Sequence, residues 1–311
     1  MAFQACNSDK KENHPPQPIT PLYEKLETLG QQDSMTREAL MAENAKEYQA
    51  LLSFLGADSL SGNMLAALSE SRPVQVFTPD VRQKYPALDS LELNLGYILG
   101  QAAEENIIIP QRSYAAVVWG RPESMVFVND VMLIALNHYL GPQYEGYTSL
   151  PEYRRQVKAP EYLPYDLAES LVATSYPFSD NKSTILSHLL YQGALTYAKM
   201  RLVKDSKPDM ALGYTPEQWQ WLNENESRLW QQLVKDKYLY DTSELTTSKL
   251  FDPAPSTNIL SANAPGRAGR FLGYKIILAY INKHPETTVT QLLSPEFYSN
   301  QNTLISSEYA P

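Results

Sequence analysis

One run of residues constrains the fold more than any other: NKSTILSHLLYQGALTYAKMRLVKD, 181–205. Its spacing predicts an apolar helix of nearly 25 residues, which needs other elements packed against it. Inside it, His188, Leu189, Leu190, Tyr191 and Gln192 occupy the frame of H-E-x-x-H. In that motif two imidazoles one turn apart hold zinc, and the Glu is the general base. Here Leu replaces the Glu and Gln replaces the second His. Gln is a poor zinc ligand beside a neutral imidazole, and Leu189 cannot polarise a water. One imidazole and one amide leave an ion with too few donors. The reading is a metal-free helix, either ordinary core packing or the remnant of a zinc helix.

The chain has 311 residues, 43% hydrophobic, enough to bury a real core. Its net charge of -9 argues against nucleic acid, which requires clustered Lys and Arg. A single cysteine, Cys6, excludes a disulfide within the chain and any zinc site built on thiolates. No stretch approaches the roughly 18 to 20 apolar residues of a membrane span. His14, His138, His188 and His284 are too scattered to form a ligand cluster by spacing.

The amino terminus, MAFQACNSDKKENHPPQPITPLYEKL, places a small residue before Cys6 and a polar, Pro-containing stretch behind it. That is the ending of a bacterial lipoprotein signal followed by a solvated tether. Five residues before Cys6 are too few for a charged and an apolar signal region, so the alternative is a disordered cytosolic tail with a chance cysteine. Residues 1–20 are assigned to the signal remnant and flexible tether, and residues 21–311 to a single globular domain. Acyl chains on Cys6 would anchor it without a span.

From Pro21 to Leu55 the pattern is helical, with Gly30 and Gly56 where helices stop. A short helix is expected in DSLSGNMLAALSES. RPVQVFTPDV reads as a strand, with Val74 and Val76 alternating. PALDSLELNLGYILGQAAEEN reads as a helix. NIIIPQ, YAAVVWG and MVFVNDVMLIAL are β-branched runs, and GRPES between the last two predicts an antiparallel hairpin. Beyond Pro151 helices return. One ends before Pro177 and one before Pro285, and a short one lies in TVTQLLS. TPEQWQWLNENESRLWQQLVKDKYL opens on a capping box formed by Thr215 and Gln218. The fold class is mainly α with a small β-sheet of three or four strands (α+β), packed between early and late helices.

Two further motifs carry chemistry. In NAPGRAGRFLGYKII, Arg267 and Arg270 alternate with glycines at a helix start. Such an arrangement either takes an anion, such as a peptide or glycan carboxylate, or lets the helix pack tightly while the arginines pair with acidic neighbours. In WLNENESRLW, Asn225 and Glu226 lie among tryptophans, and Glu226 is a candidate partner for Arg270 in a buried ion pair. Glu224 and Glu226 are two apart and do not face each other on a helix. No G-x-S-x-G nucleophile elbow is present.

LNHYLGPQYEGY, LPEYRRQVKAPEYLPYDL, ILSHLLYQGALTY, GYTPEQWQWLNENESRLW, LFDPAPST and APGRAGRFLGYKIILAYI occur in this order. Over residues 70–311 the chain resembles the GldB-type gliding-motility lipoproteins of Bacteroidetes. The resemblance implies an envelope lipoprotein linked to surface motility and its secretion apparatus. It also implies a zincin-like scaffold, here metal-free, with no catalytic residues to carry over. The expected function is non-catalytic: a binding or assembly component in the periplasm or at the outer membrane, lipid-anchored at Cys6. It would hold an envelope protein partner in a groove near His188, Gln192, Asn225, Glu226, Arg267 and Arg270, with no cofactor and no nucleic acid. The rival is a zinc-dependent peptidase-like hydrolase with non-sequential ligands: His138, His188 and a carboxylate from Glu169 or Glu226.

Overall fold

The computed structural model describes residues 14–57 and 59–311. Cys6 and the expected signal remnant lie outside the described residues. A two-residue strand, β1 (Thr20–Pro21), leads into α1 (Leu22–Gly30), α2 (Ser34–Ala42), α3 (Ala45–Phe54) and α4 (Gly62–Ser69). Then come α5 (Arg72–Lys84) and α6 (Asp89–Glu104), followed by β2 (Ser113–Val117), β3 (Met125–Val128) and β4 (Val131–Ala135). The second half is helical: α7 (Glu152–Arg155), α8 (Leu163–Ser175), α9 (Ile185–Leu202), α10 (Pro208–Leu212), α11 (Pro216–Glu224), α12 (Glu226–Lys235) and α13 (Glu244–Phe251). It closes with α14 (Ala268–Lys283), α15 (Val289–Leu292), α16 (Pro295–Tyr298) and α17 (Asn302–Ser307).

The four strands form one mixed sheet in the order β1-β2-β4-β3. As expected, early and late helices sandwich it, and strand periodicity sorts the residues. Ala115, Val117, Val131, Leu133 and Ala135 pack with Leu22, Leu26, Leu51 and Leu65 on one face. Tyr114, Ala116, Met132 and Ile134 pack with α6, α8 and α9 on the other.

The hairpin differs from the expectation. It lies inside MVFVNDVMLIAL, where Asn129 takes a positive φ of 51° and β3 pairs antiparallel with β4. Asn tolerates that conformation, which a two-residue hairpin turn requires. GRPES instead carries the chain to the far edge of the sheet, so β2 and β4 pair in parallel. The Asn137 side chain holds the end of that ladder, taking the Trp119 N–H at 3.2 Å and donating to its carbonyl at 2.9 Å.

RPVQVFTPDV is a helix, not a strand. Val74, Thr78 and Val81 are its buried residues, at i, i+4 and i+7, while Val76 is half exposed. Pro73 sits in the first turn, where its missing N–H is unneeded. NIIIPQ is also not a strand: Ile107 is buried, but the Ile108 N–H goes to the Tyr176 hydroxyl and Pro110 has no donor. The expected helix from Thr215 keeps its capping box but breaks in two at Asn225. There φ is -112°, and the amide Nδ2 donates to the Trp221 carbonyl at 2.8 Å. α9 spans 18 residues, shorter than the run that predicted it, because Asn181–Ser183 stay outside and the helix ends at Leu202.

Part of the expected tether is docked rather than free. His14 packs on Gly100 and edge-on to Tyr97, and the Pro15 carbonyl lies against Gly96. The Gln17 and Ile19 N–H groups bond Glu92, and Ile19 is buried. Residues 14–20 thus belong to the folded body.

α9 is buried nearly all round and crosses α14 at backbone contact. A Cβ on Gly193 would overlap the Gly273 carbonyl, and a Cβ on Gly273 would overlap the Leu189 carbonyl. Gly273→Ala should therefore destabilise by about 1–3 kcal/mol despite the better helix propensity of Ala. Thermal unfolding followed by circular dichroism should show a melting temperature several degrees lower; an unchanged or raised value would contradict the contact.

Candidate functional site

A cavity of about 600 Å³ opens beyond the carboxyl ends of the parallel strands β2 and β4. That is where open sheets place their ligands, and the volume lies in the range of small-molecule sites. Trp119–Pro122, following β2, form one wall, and Asn137 and His138, following β4, continue it. The segment from Gly146 to Lys158, which contains α7, faces them together with Tyr214 and Gln218. Pro253, Ala254, Gly266 and Arg267, from the turns before α14, and Phe77 of α5 complete the lining.

Each wall has a local cause. Trp119 is held by its indole N–H on the Glu123 carbonyl at 2.9 Å. Tyr147 donates its hydroxyl hydrogen to the Asn137 carbonyl, and its oxygen accepts the Leu140 N–H. Arg267 takes a left-handed conformation, φ 64°, immediately ahead of α14. The strain is held by Tyr214, whose hydroxyl reaches the Gly266 and Arg267 carbonyls at 3.1 and 2.9 Å. Gly213, at φ 73°, leaves room for the Arg267 guanidinium, which donates to its carbonyl at 3.2 Å.

The electrostatics are one-sided. The charged lining residues are Arg121, Arg154, Lys158 and Arg267, all basic. Among the described residues none of the four makes an ion pair with a carboxylate. Burial lowers the Lys158 pKa, with Asp166 opposing and Arg154 adding to the shift. The Lys158 ammonium lies 5.3 Å from the Tyr147 ring centroid, a cation–π contact. Burial, then the Lys158 charge, push the His138 pKa down to about 3, so its ring is neutral and shares a hydrogen with the Ser124 hydroxyl at 3.0 Å.

Behind the cavity lies a buried charge cluster. Glu169 on α8 bonds Lys199 of α9 at 2.6 Å and Arg270 of α14 at 3.0 Å. Those two cations outweigh its burial and hold its carboxyl well below the usual range. Asp166, one turn earlier, accepts the Tyr139 hydroxyl at 2.7 Å, and burial pushes its pKa up to about 6.

The residues singled out by sequence fall into different places. Of the six groove candidates, Arg267 lines the cavity. Arg270, three residues on, pairs with Glu169 instead, so the two arginines divide the alternatives: one faces a cavity, one an acidic neighbour. The expected Glu226–Arg270 pair does not form. Glu226 bonds Lys275 at 3.0 Å and the Tyr309 hydroxyl at 2.9 Å, because the break at Asn225 turns it toward the middle of α14 and the carboxyl-terminal tail. His188 stacks on Phe178 with centroids 4.3 Å apart and shares a hydrogen with the Ser183 hydroxyl at 2.9 Å. Leu189 and Leu190 are fully buried, and Gln192 is half-buried on the same helix. Among the described residues no three His, Cys, Asp or Glu side chains could hold one metal ion, so His138, His188, Glu169 and Glu226 are not gathered as a ligand set. Lys158, Arg154 and Tyr214, which sequence reasoning missed, lie within stretches that carry the family resemblance.

Fold and cavity together define a mainly helical α+β protein with a small mixed sheet and a walled, basic cavity at the strand ends. The chain belongs to the family described as gliding motility protein GldB, whose profile matches residues 10–311. No curated protein and no solved structure matches it.

Glu169→Gln should leave Lys199 and Arg270 buried without a counter-charge and cost about 3–5 kcal/mol near neutral pH. Since the folded-state pKa of Glu169 is depressed, its contribution is present above the ordinary carboxylate range and fades as pH falls, so the gap between variant and wild type should narrow in acid. Asp166 has the opposite sign: its contribution is present below the ordinary Asp pKa and lost as pH rises through about 6. Asp166→Asn should therefore gain on wild type between pH 4 and pH 8 in chemical denaturation, and a pH-independent difference would contradict the assignment.

Proposed function

We propose that this GldB-family protein is a non-catalytic binding or assembly component of the cell envelope, anchored by acylated Cys6 in the periplasm or at the outer membrane. It works with proteins of the motility or secretion machinery. The observation that carries this reading is the cavity at the ends of β2 and β4, walled by segments from distant parts of the chain. Its lining mixes aromatic rings and cations without a carboxylate, and its one imidazole, its pKa pushed down to about 3 by burial and then the Lys158 charge, is a weak base, which supports holding rather than acid–base turnover. The five positions of the His188 motif support the same reading. Leu189 and Leu190 serve the core, and His188 is a stacked ring bonded to a serine. Sheet followed by a long His-bearing helix is the order of a zincin-like scaffold, and a metal-free descendant of one would keep a cleft for an extended partner.

Two experiments test this. A photo-crosslinking amino acid at Ser149, an exposed cavity residue, should capture a discrete envelope protein in the native host, and the same probe at exposed Leu245 should not. Equal adducts from both positions, or none from Ser149, would remove the cavity as the docking site. For the anchor, Cys6→Ala in the full native precursor should shift the protein from the membrane fraction to the soluble one.

A further inference from the structure

Acids outnumber bases in this chain, 35 to 26, yet every charged residue lining the cavity is basic. Lys158 and Arg267 are half-buried, whereas Arg154 and Arg121 are exposed. The contacts these cations make include aromatic faces and a carbonyl: Tyr147 for Lys158, Tyr153 for Arg154, Phe54 for Arg121, and the Gly213 oxygen for Arg267, while Asp166 acts on Lys158 and Arg267 only from beyond ion-pair distance. Like charges gathered in a partly desolvated space repel one another and destabilise the compact state. Elsewhere this chain neutralises such charges. Lys199 and Arg270 share Glu169, and Lys275 has Glu226. The cavity cations have no such partner within the described residues.

Arg267 adds a second, independent mark. Its left-handed backbone is a conformation that residues other than glycine rarely adopt, and Tyr214 braces it there. The brace sets the guanidinium beside Gly213 on the cavity wall, three residues before an arginine already neutralised. A planar guanidinium pairs with oxyanions through two parallel bonds, which a lysine alone cannot supply. The rings of Phe77, Trp119, Tyr147 and Tyr214 share the same lining.

We infer that the cavity is an oxyanion seat: it takes a phosphate or carboxylate group borne on an apolar or aromatic body, with Lys158 and Arg267 holding the anion and Arg154 and Arg121 drawing it in. This rests on the cavity being the binding site. The ligand supplies the close ion-pair partner that these four residues lack among the described residues.

The test is calorimetric titration of the full chain with phenyl phosphate, phenylacetate and benzyl alcohol. At least one anion should bind, more weakly as ionic strength rises, and the neutral alcohol should not. Lys158→Gln and Arg267→Gln should each weaken the anion about tenfold or more, Arg154→Gln several-fold, and exposed Lys235→Gln not at all. Arg154→Gln touches no core packing, so it reports even where Arg267→Gln fails to fold. The stronger of the two anions identifies the group as phosphate or carboxylate. Binding of the alcohol as tight as that of the anions, anion binding undiminished in Lys158→Gln and Arg154→Gln, or no binding of either anion would each overturn the inference. In those cases a crosslink specific to Ser149 would leave the docking role standing with an uncharged partner. Loss of that crosslink with anion binding intact would instead sink the docking role and leave the seat.

Discussion

Everything in this molecule turns on the place where α9 and α14 touch backbone to backbone. Gly193 and Gly273 let the two helices approach until each carbonyl fills the space a side chain would need. Beside that contact, Glu169 draws Lys199 from α9 and Arg270 from α14 onto α8. Packing brings the helices close, and the buried carboxylate fixes which residues meet. A buried ion cluster is weak evidence of net stability, but it discriminates strongly against a slipped register, since any slip leaves a charge unpaired. The start of α14, with Arg267 just ahead of it, is positioned by this arrangement. So is the wall that Arg267 contributes to the cavity.

The elements that could be read in advance were those whose signal is local. The apolar run through His188, the capping box at Thr215 and the proline stops at Pro177 and Pro285 all produced helices near the expected places. Misreadings arose where a short pattern fits two periods. Val74 and Val76 alternate like a strand, yet Val74, Thr78 and Val81 also satisfy a helix, and burial chose the helix. The sheet misled for another reason. Pairing β2 with β4 in parallel, across an inserted β3, depends on contacts such as Asn137 with Trp119 that no local window contains.

The candidate site was legible only in fragments. Two arginines at a helix start pointed to either an anion or acidic neighbours; the fold gives Arg270 an acidic neighbour and sets Arg267 on the cavity wall. Lys158 and Arg154 gave no signal of their own, because a lysine and an arginine in a tyrosine-rich loop look like any solvated surface. Only the tertiary structure brings that loop opposite the residues that follow β2 and β4. The degenerate zinc-helix frame drew attention to His188, whose surroundings turn out to be Phe178, Phe251 and a serine hydroxyl.

The docking of residues 14–20 along α6 sets a leash length. His14 is pinned at Gly100, and Cys6 lies eight positions earlier. Fully stretched, eight residues reach about 28 Å. With its lipid on Cys6, as proposed, the body could not patrol the periplasm. It would sit against the bilayer with one end of α6 tethered close to the headgroups, able to pivot but not to roam. On that proposal, a partner would have to come to the membrane surface to be held.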